Sequence, residues 1–327
     1  MAHAYTPGLQ VKERTHYRTS RLLPIQGDVL VRVGEQVQAE QIVARTQQPG
    51  PVTPLNLSNI LAVPPAEVPR CLLRKGGEHV AAGDPLAMTN GIFGFFKTVY
   101  NSPVAGVIES ISNVTGQLIL RGEPVPVEVK AFATGEVVDL IPGEGCVVDS
   151  KATFVQGIFG IGGEVYGPIL VVVDSPQDDL TADRITDECR GKVIVGGRRI
   201  HGDAVQRAID VGAVALIGGG IDDQDLKQIL GYDLGVAITG TEEIGVTLII
   251  TEGFGEIAMA RHTFELFTQR NGAAAAVNGA TQIRAGVMRP EIVIPWDDSQ
   301  QVDETAARVG GGVLEVGTPV RIIRDPY

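Results

Sequence analysis

The sequence predicts an α+β chain of more than one domain, with a β-rich first half and an α/β second half on a mostly parallel sheet. Three observations predict it. At 327 residues the chain is too long for one small core and most naturally holds two or three. Short segments recur in the first half. From about residue 190 the apolar pattern changes from alternation to a succession of strands and helices. With 41 glycines and a single Trp, tight turns and a core of Val, Ile, Leu and Ala are expected.

The recurring segments define the first half. "VGEQVQAEQIVA" (33–44) lines up with "GGEHVAAGDPLA" (76–87), giving Gly-Glu-x-Val-x-Ala-x-x-x-apolar-Ala twice, 43 residues apart. "GVIESISNVTGQLI" (106–119) lines up with "GEVVDLIPGEGCVV" (135–148), 29 residues apart. "GIFG" stands at 91–94 and again at 157–160. In each copy apolar residues alternate toward a Gly-bearing turn and a second short strand follows, which is hairpin chemistry. Residues 29–46 and 72–88 should therefore occupy similar hairpin positions, as should 106–119 and 135–148. Gly106, Gly116, Gly135 and Gly145 should mark turns or bends. Residues 25–175 read as a β-barrel or sandwich.

"LLRKGGEHVAAGDPLA" and "NSPVAGVIESISNVTGQLIL" together resemble a barrel-sandwich hybrid, the fold of biotinyl and lipoyl carrier domains. The resemblance covers about 72–121, with a weaker half-match at 29–46. It implies a β fold and places Lys97 near the hairpin where carriers bear their modified lysine. Lys97 lies only six residues before Pro103 and follows Phe95 and Phe96. Aromatic residues on an exposed tip would leave apolar area in water, so an unmodified lysine is expected, with no prosthetic group. The nearer likeness is to unmodified hybrid barrels of quinone- and ferredoxin-linked electron-transfer subunits. Their cluster and flavin sites have no counterpart in this sequence.

In the second half, 176–295, "GKVIVGG" (191–197) reads as a buried strand and "HGDAVQRAIDVG" (201–212) as an amphipathic helix ended by Gly. "AVALIGGG" (213–220) is a strand and "DDQDLKQILG" (222–231) a helix capped by Asp222. "GVAITG" (235–240) and "GVTLIITEGFG" (245–255) are strands, and "IAMARHTFELFTQRNG" (257–272) is a helix. Strand carboxyl ends in such a sheet face one crevice, where ligands bind. The candidate ligand site is therefore Gly218, Gly219, Gly220, Thr239, Thr251, Glu252, Glu256 and Arg284, with Arg289 nearby. Backbone N–H groups of "IGGGIDD" suit an anion, although Asp222 and Asp223 would repel one. The structural reading is helix caps, tight turns and ion pairs. A mixed carboxylate and guanidinium crevice suits a small polar ligand of both signs.

The net charge of −12 argues against nucleic acid as a partner. Lys12, Arg14, Arg18 and Arg21, in an arm at 1–24, read as a solvated face. Cys71, Cys146 and Cys189 form no Cys-x-x-Cys pair, so a reduced, cytoplasmic protein without a cluster is expected. No apolar leader or membrane-length run is present in the sequence. The five histidines have no metal-ligand spacing, and neither a nucleophile elbow nor a Walker or dinucleotide fingerprint occurs. Nothing demands an enzyme, a metal or a cofactor. The stretch 296–312 reads as a linker, and "VGTPVRIIRDPY" is similar to the opening strand of a KOW/SH3-like module. The expected function is a cytoplasmic scaffold or adaptor whose partner is another protein. The alternatives are a small-ligand binder or enzyme at the strand ends, and a swinging-arm carrier on Lys97.

Overall fold

In "VKERTHYRTSRL" every second side chain turns outward, and this alternation builds the twelve-residue strand β1 (Val11–Leu22). The protein is described by a computed structural model over residues 9–89, 97–231, 242, 244–281 and 288–296. The chain divides into two units, 1–295 and 296–327. The second, with its KOW-like stretch, lies outside the described residues apart from Trp296, as do the first "GIFG" and "GVAITG".

After β1 come β2 (Asp28–Val29), β3 (Gln36–Val37), β4 (Ile42–Gln48) and β5 (Val52–Asn56), then helices α1 (Leu57–Leu61) and α2 (Val68–Cys71). Strands β6 (His79–Val80), β7 (Pro85–Met88), β8 (Val99–Asn101), β9 (Gly106–Ile111) and β10 (Gln117–Arg121) follow. Then come β11 (Val125–Lys130), β12 (Gly135–Ile141) and β13 (Gly145–Gln156).

The sequence repeat is a backbone repeat. Gly34 and Gly77 both take φ near 84°, where a residue with a Cβ would be strained. Their N–H groups donate to Val137 O (2.7 Å) and Ile108 O (2.8 Å). Val29 pairs with Ala44 as Leu72 pairs with Ala87. Lys130 faces Ile42 across the same irregularity that sets Asn101 opposite Pro85. The copies are nested. One module is built from β2, β3, β4, β11, β12 and β13, around Val31, Val37, Val43, Val137 and Val148. The other, β5 to β10, packs around Leu57, Val80, Leu86, Ile108 and Leu118. It sits between β4 and β11, in the place of the β7–β8 loop.

The glycine expectation needs correcting. Gly116 is left-handed (φ 70°) in the β9–β10 turn, whereas Gly106, Gly135 and Gly145 begin strands. A Cβ at Gly106 would meet Arg121 O, and one at Gly135 would meet Asp149 O. Close approach of the partner backbone is the reason for glycine there. Past the turn the copies shift by one residue: Leu120 faces Ile108, and Val148 faces Val137. The second turn is also shorter, closed by Glu144 N–H to Ile141 O where the first is closed by Gly116 N–H to Ser112 O, and its left-handed residue is Gly143 (φ 72°).

The remaining elements are β14 (Phe159–Ile161), β15 (Glu164–Val171), β16 (Val193–Val195), β17 (Arg199–Ile200), α3 (Gly202–Val211), β18 (Ala215–Ile221) and α4 (Asp223–Leu230). They continue with β19 (Thr247–Phe254), α5 (Arg261–Gln269), β20 (Ala274–Asn278) and β21 (Glu291–Pro295). Strands β15, β16, β18 and β19 are parallel neighbours. Ile194, Leu216 and Leu248 face Ala204, Val205 and Ala208 of α3, while Val193, Ile217 and Ile249 face Phe264 and Phe267 of α5. Coverage on both faces explains the unbroken apolar runs. Truncating one such side chain to Ala would cost about 2–5 kcal/mol. Gly212 (φ 82°) ends α3 and Gly231 (φ 77°) ends α4.

The fold is mixed α/β with a large mixed sheet, rather than a mostly parallel one standing apart. Antiparallel β20, β21, β13, β12 and β3 extend the parallel strands in order, and β1 lies along β13. The sheet thus crosses the boundary expected at 175–176, and residues 11–22 of the expected arm belong to it. Among the described residues no helix is long and apolar enough to cross a membrane.

Candidate functional site at the parallel strand ends

The three glycines at the end of β18 lie inside the strand and are explained by packing. A Cβ at Gly218 would stand 2.6 Å from Ile200 Cγ1, one at Gly219 would meet Ile257 O, and one at Gly220 would meet Gly255 O. The residues after β19 fold back over β18 in contact with its backbone. The N–H of Gly219 donates to Gly197 O (2.9 Å) and that of Gly220 to Arg198 O (2.8 Å). These two groups, offered by the sequence to an anion, are already bonded.

Thr251 is buried and its Oγ1 donates to Gly218 O at 3.3 Å. Glu252 reaches forward: its Oε1 accepts from the N–H of Ala260 at 2.7 Å, just before α5. It supplies the helix start with the acceptor that Ala260 lacks, a contribution of about 1 kcal/mol. The helix begins at Arg261 rather than 257 because Ile257–Met259 lie against Gly219. Asp222 caps α4 as expected, accepting from Gln224 N–H at 2.9 Å. Thr239 and Arg284 lie outside the described residues.

Glu256 meets two arginines that the sequence reading did not select. Arg198 Nη1 stands 3.4 Å from Glu256 Oε2, and Arg199 Nη1 stands 3.3 Å from its Oε1. Both arginines have a closer carboxylate. Arg198 grips Asp179 through Nε (2.8 Å) and Nη2 (3.0 Å), and His201 Nε2 lies 3.1 Å from the same carboxylate. Arg199 Nη2 donates to Asp225 at 2.7 Å. The Arg198 guanidinium, helped by His201, holds the Asp179 carboxyl well below the usual carboxylate range.

This cluster ties Arg198, between β16 and β17, and the start of β17 to the connection between β15 and β16, to the N-terminal turn of α4 and to the segment after β19. The signal for it was "GGRRIHGD" (196–203): two adjacent arginines just after a buried strand. Chemically the site holds two guanidiniums against Asp179, Asp222, Asp225 and Glu256. Among the described residues Arg199 Nε is buried and has no hydrogen-bond partner. Glu256 stands farther from both arginines than Asp179 does from Arg198 or Asp225 from Arg199, remains half exposed, and sits beside Gly255 (φ 100°). It is the most exposed of the four carboxylates. Among the described residues no group of His, Cys, Asp and Glu is arranged to hold a metal ion. Comparison of the chain with protein-family models, curated proteins and solved structures finds no match.

Proposed function

We propose that the chain is a non-enzymatic cytoplasmic scaffold or adaptor, built on an unmodified biotinyl/lipoyl-like barrel, with another protein as its partner. The observation that carries this reading is a pair of open sheet edges in the β-rich half. Among the described residues β1 pairs only with β13 and β11 only with β4, and both line one groove of about 510 Å³. Two further features support it. Lys97 adjoins Thr98, whose N–H donates to Thr89 Oγ1 (2.9 Å) and whose carbonyl accepts from Thr89 N–H (2.9 Å). The lysine thus stands at the base of the β7–β8 loop rather than at its tip. In the sister module the corresponding loop position is taken by a whole β module.

A second reading, a small-ligand binder at the strand ends, draws on the buried Arg199 Nε and the half-exposed Glu256. In that reading a ligand carboxylate replaces Glu256. Native mass spectrometry of the full chain isolated from its own cells tests both. The adaptor reading expects a protein partner at fixed stoichiometry and an unmodified Lys97. A retained small molecule with no protein partner supports the second reading. A mass gain of a biotin or lipoyl group, lost in Lys97→Ala, overturns both.

A further inference from the structure

The backbone of β1 is half used. Leu23 N–H donates to Glu144 O (2.7 Å), and the register pairs Tyr17 with Ser150, Thr19 with Val148 and Arg21 with Cys146. In an antiparallel ladder the bonded pairs alternate. Odd-numbered residues from Thr15 to Arg21 therefore bond to β13, and the N–H and C=O groups of His16, Arg18 and Ser20 point to the other side. No strand pairs there among the described residues. A twelve-residue strand with an open edge is a template for a further strand.

The groove continues this edge. Ser20 and Leu22 form one wall, Glu128 and Lys130 the other, and Tyr166 lies on the floor. The second wall is also an open edge. Ala131 N–H bonds to Gln41 O on the β4 side, so by the same alternation Lys130 C=O points away from β4. It accepts from Arg21 Nε at 2.6 Å. Arg21 spans the groove at that point and is fixed by Glu164 at 2.7 and 2.8 Å. Two sheet edges thus face one channel, joined at a single side chain.

The side chains of β1 state what may be added beside it. Lys12, Arg14, His16 and Arg18 are successive exposed positions along the strand; the register slips between Lys12 and Thr15, so Lys12 lies on the face of Phe154 while His16 and Arg18 lie on the face of Lys151 and Asp149. Asp149 answers Arg18 (2.6 Å) and His16 (2.8 Å) from the β13 side. Side chains of an added strand would stand about 4.5–5.5 Å from these residues, where opposite charges stabilise and like charges destabilise. A second copy of β1 would set Lys and Arg against Lys and Arg. This basic row stands on a chain of net charge −12, so its sign is local. Charges on an edge also guard against indiscriminate pairing, and they do so selectively, since acidic strands are not repelled.

We propose that the open edge of β1, from Lys12 into the groove at Ser20–Leu22, receives an extended acidic segment of a partner protein as an added strand. The inference rests on the adaptor reading and names the chemistry of its partner. The probe is a fluorescein-labelled peptide of about ten residues that alternates glutamate with valine or threonine, so that it favours an extended strand. Its control carries lysine in place of glutamate. Fluorescence anisotropy with the full chain should show binding of the acidic peptide and at least tenfold weaker binding of the control.

Ser20→Pro removes one outward N–H while leaving the ladder to β13 in place, a position at which an edge strand tolerates proline. It should weaken binding at least tenfold with a nearly unchanged Tm. Lys12→Glu with Arg14→Glu should do the same without touching the backbone. The proposal is overturned if the acidic peptide does not bind, if the lysine peptide binds equally, or if both variants bind like the parent. It is also overturned if a single-stranded oligonucleotide displaces the peptide while Ser20→Pro has no effect, since that pattern is phosphate binding without strand addition. Binding that persists in both variants keeps the adaptor reading and removes β1 as its surface. Absence of a stoichiometric protein in the native-mass experiment removes the adaptor reading while the peptide result stands on its own.

Discussion

Glu291 opens β21 beneath Tyr17, whose Oη donates to Oε2 at 2.8 Å and whose ring stacks on Phe154 at 5.2 Å between centroids. Burial pushes the Glu291 carboxyl up, and hydrogen bonds from Tyr17 and Gln156 pull it part of the way back. A carboxyl with a raised folded pKa holds its proton more tightly in the folded state. Its stabilising share is intact below the unfolded pKa and lost as pH rises through the folded one. Asp179 has the opposite sign, because its pairing with Arg198 stabilises above the unfolded pKa and fails as pH falls. Glu291→Gln keeps an acceptor for Tyr17 and cannot ionise. Its Tm should exceed the parent's by about 2–4 °C at neutral pH and match it at about pH 4, just below the ordinary glutamate value of ~4.3. Thermal melts at the two pH values check this, and a variant without the neutral-pH gain contradicts it. At this scale the sequence was read unevenly. Glu252 and Glu256 stand at strand ends as expected, and Glu256 meets Arg198 and Arg199, which were not among the expected site residues; Arg284 lies outside the described residues. Spacing along a chain does not say which of several arginines a crossover brings near.

Hairpins were legible because alternation and recurring glycines are local properties. The roles of those glycines were not, because two different needs produce the same residue. Gly116 supplies a left-handed backbone, while Gly106 and Gly135 leave room for the neighbouring strand. Substitution separates the two needs. Gly106→Ala and Gly135→Ala should each destabilise by about 1–3 kcal/mol, since a methyl group would press on backbone that cannot turn aside. Gly76→Ala, with nothing within 4 Å of the added Cβ and no positive φ, should lie within about 0.5 kcal/mol of the parent. Urea unfolding of the three variants checks the contrast, and equal stabilities would remove the close-approach argument. Helix α5 shows a similar limit. Its apolar periodicity extends back to Ile257, but packing of Ile257–Met259 on Gly219 delays the first turn to Arg261. Periodicity reports which side chains are apolar, and tertiary contact decides where the coil begins.

At the scale of the whole molecule, the two repeat spacings carried information that pairwise alignment did not use. A tandem duplication keeps one spacing, whereas these segments recur 43 residues apart on one limb and 29 on the other. Unequal spacing is what insertion of one copy inside the other produces, and the strand pairing has that form. The large sheet was less legible, since nothing local to β13 announces that it will bond to β1, β12 and β21 at once. Nesting has a mechanical consequence. Gln48 and Val125 are directly paired, and Gly122 N–H bonds to Pro51 O at 2.9 Å, so the inserted module enters and leaves at one point. Its core is also separate from that of its host. Excision of residues 51–122 joins Gly50 to Glu123 and closes the β4–β11 hairpin with the four residues Pro49, Gly50, Glu123 and Pro124. Loops of that length are common in hairpins. The shortened chain should unfold in one cooperative transition, and amides of β13 and β18 should exchange as slowly as in the parent. Circular dichroism melts and hydrogen exchange measure both. Loss of the cooperative transition, or fast exchange in β13, would mean that the two modules fold only as a unit and that the separate cores are not independent.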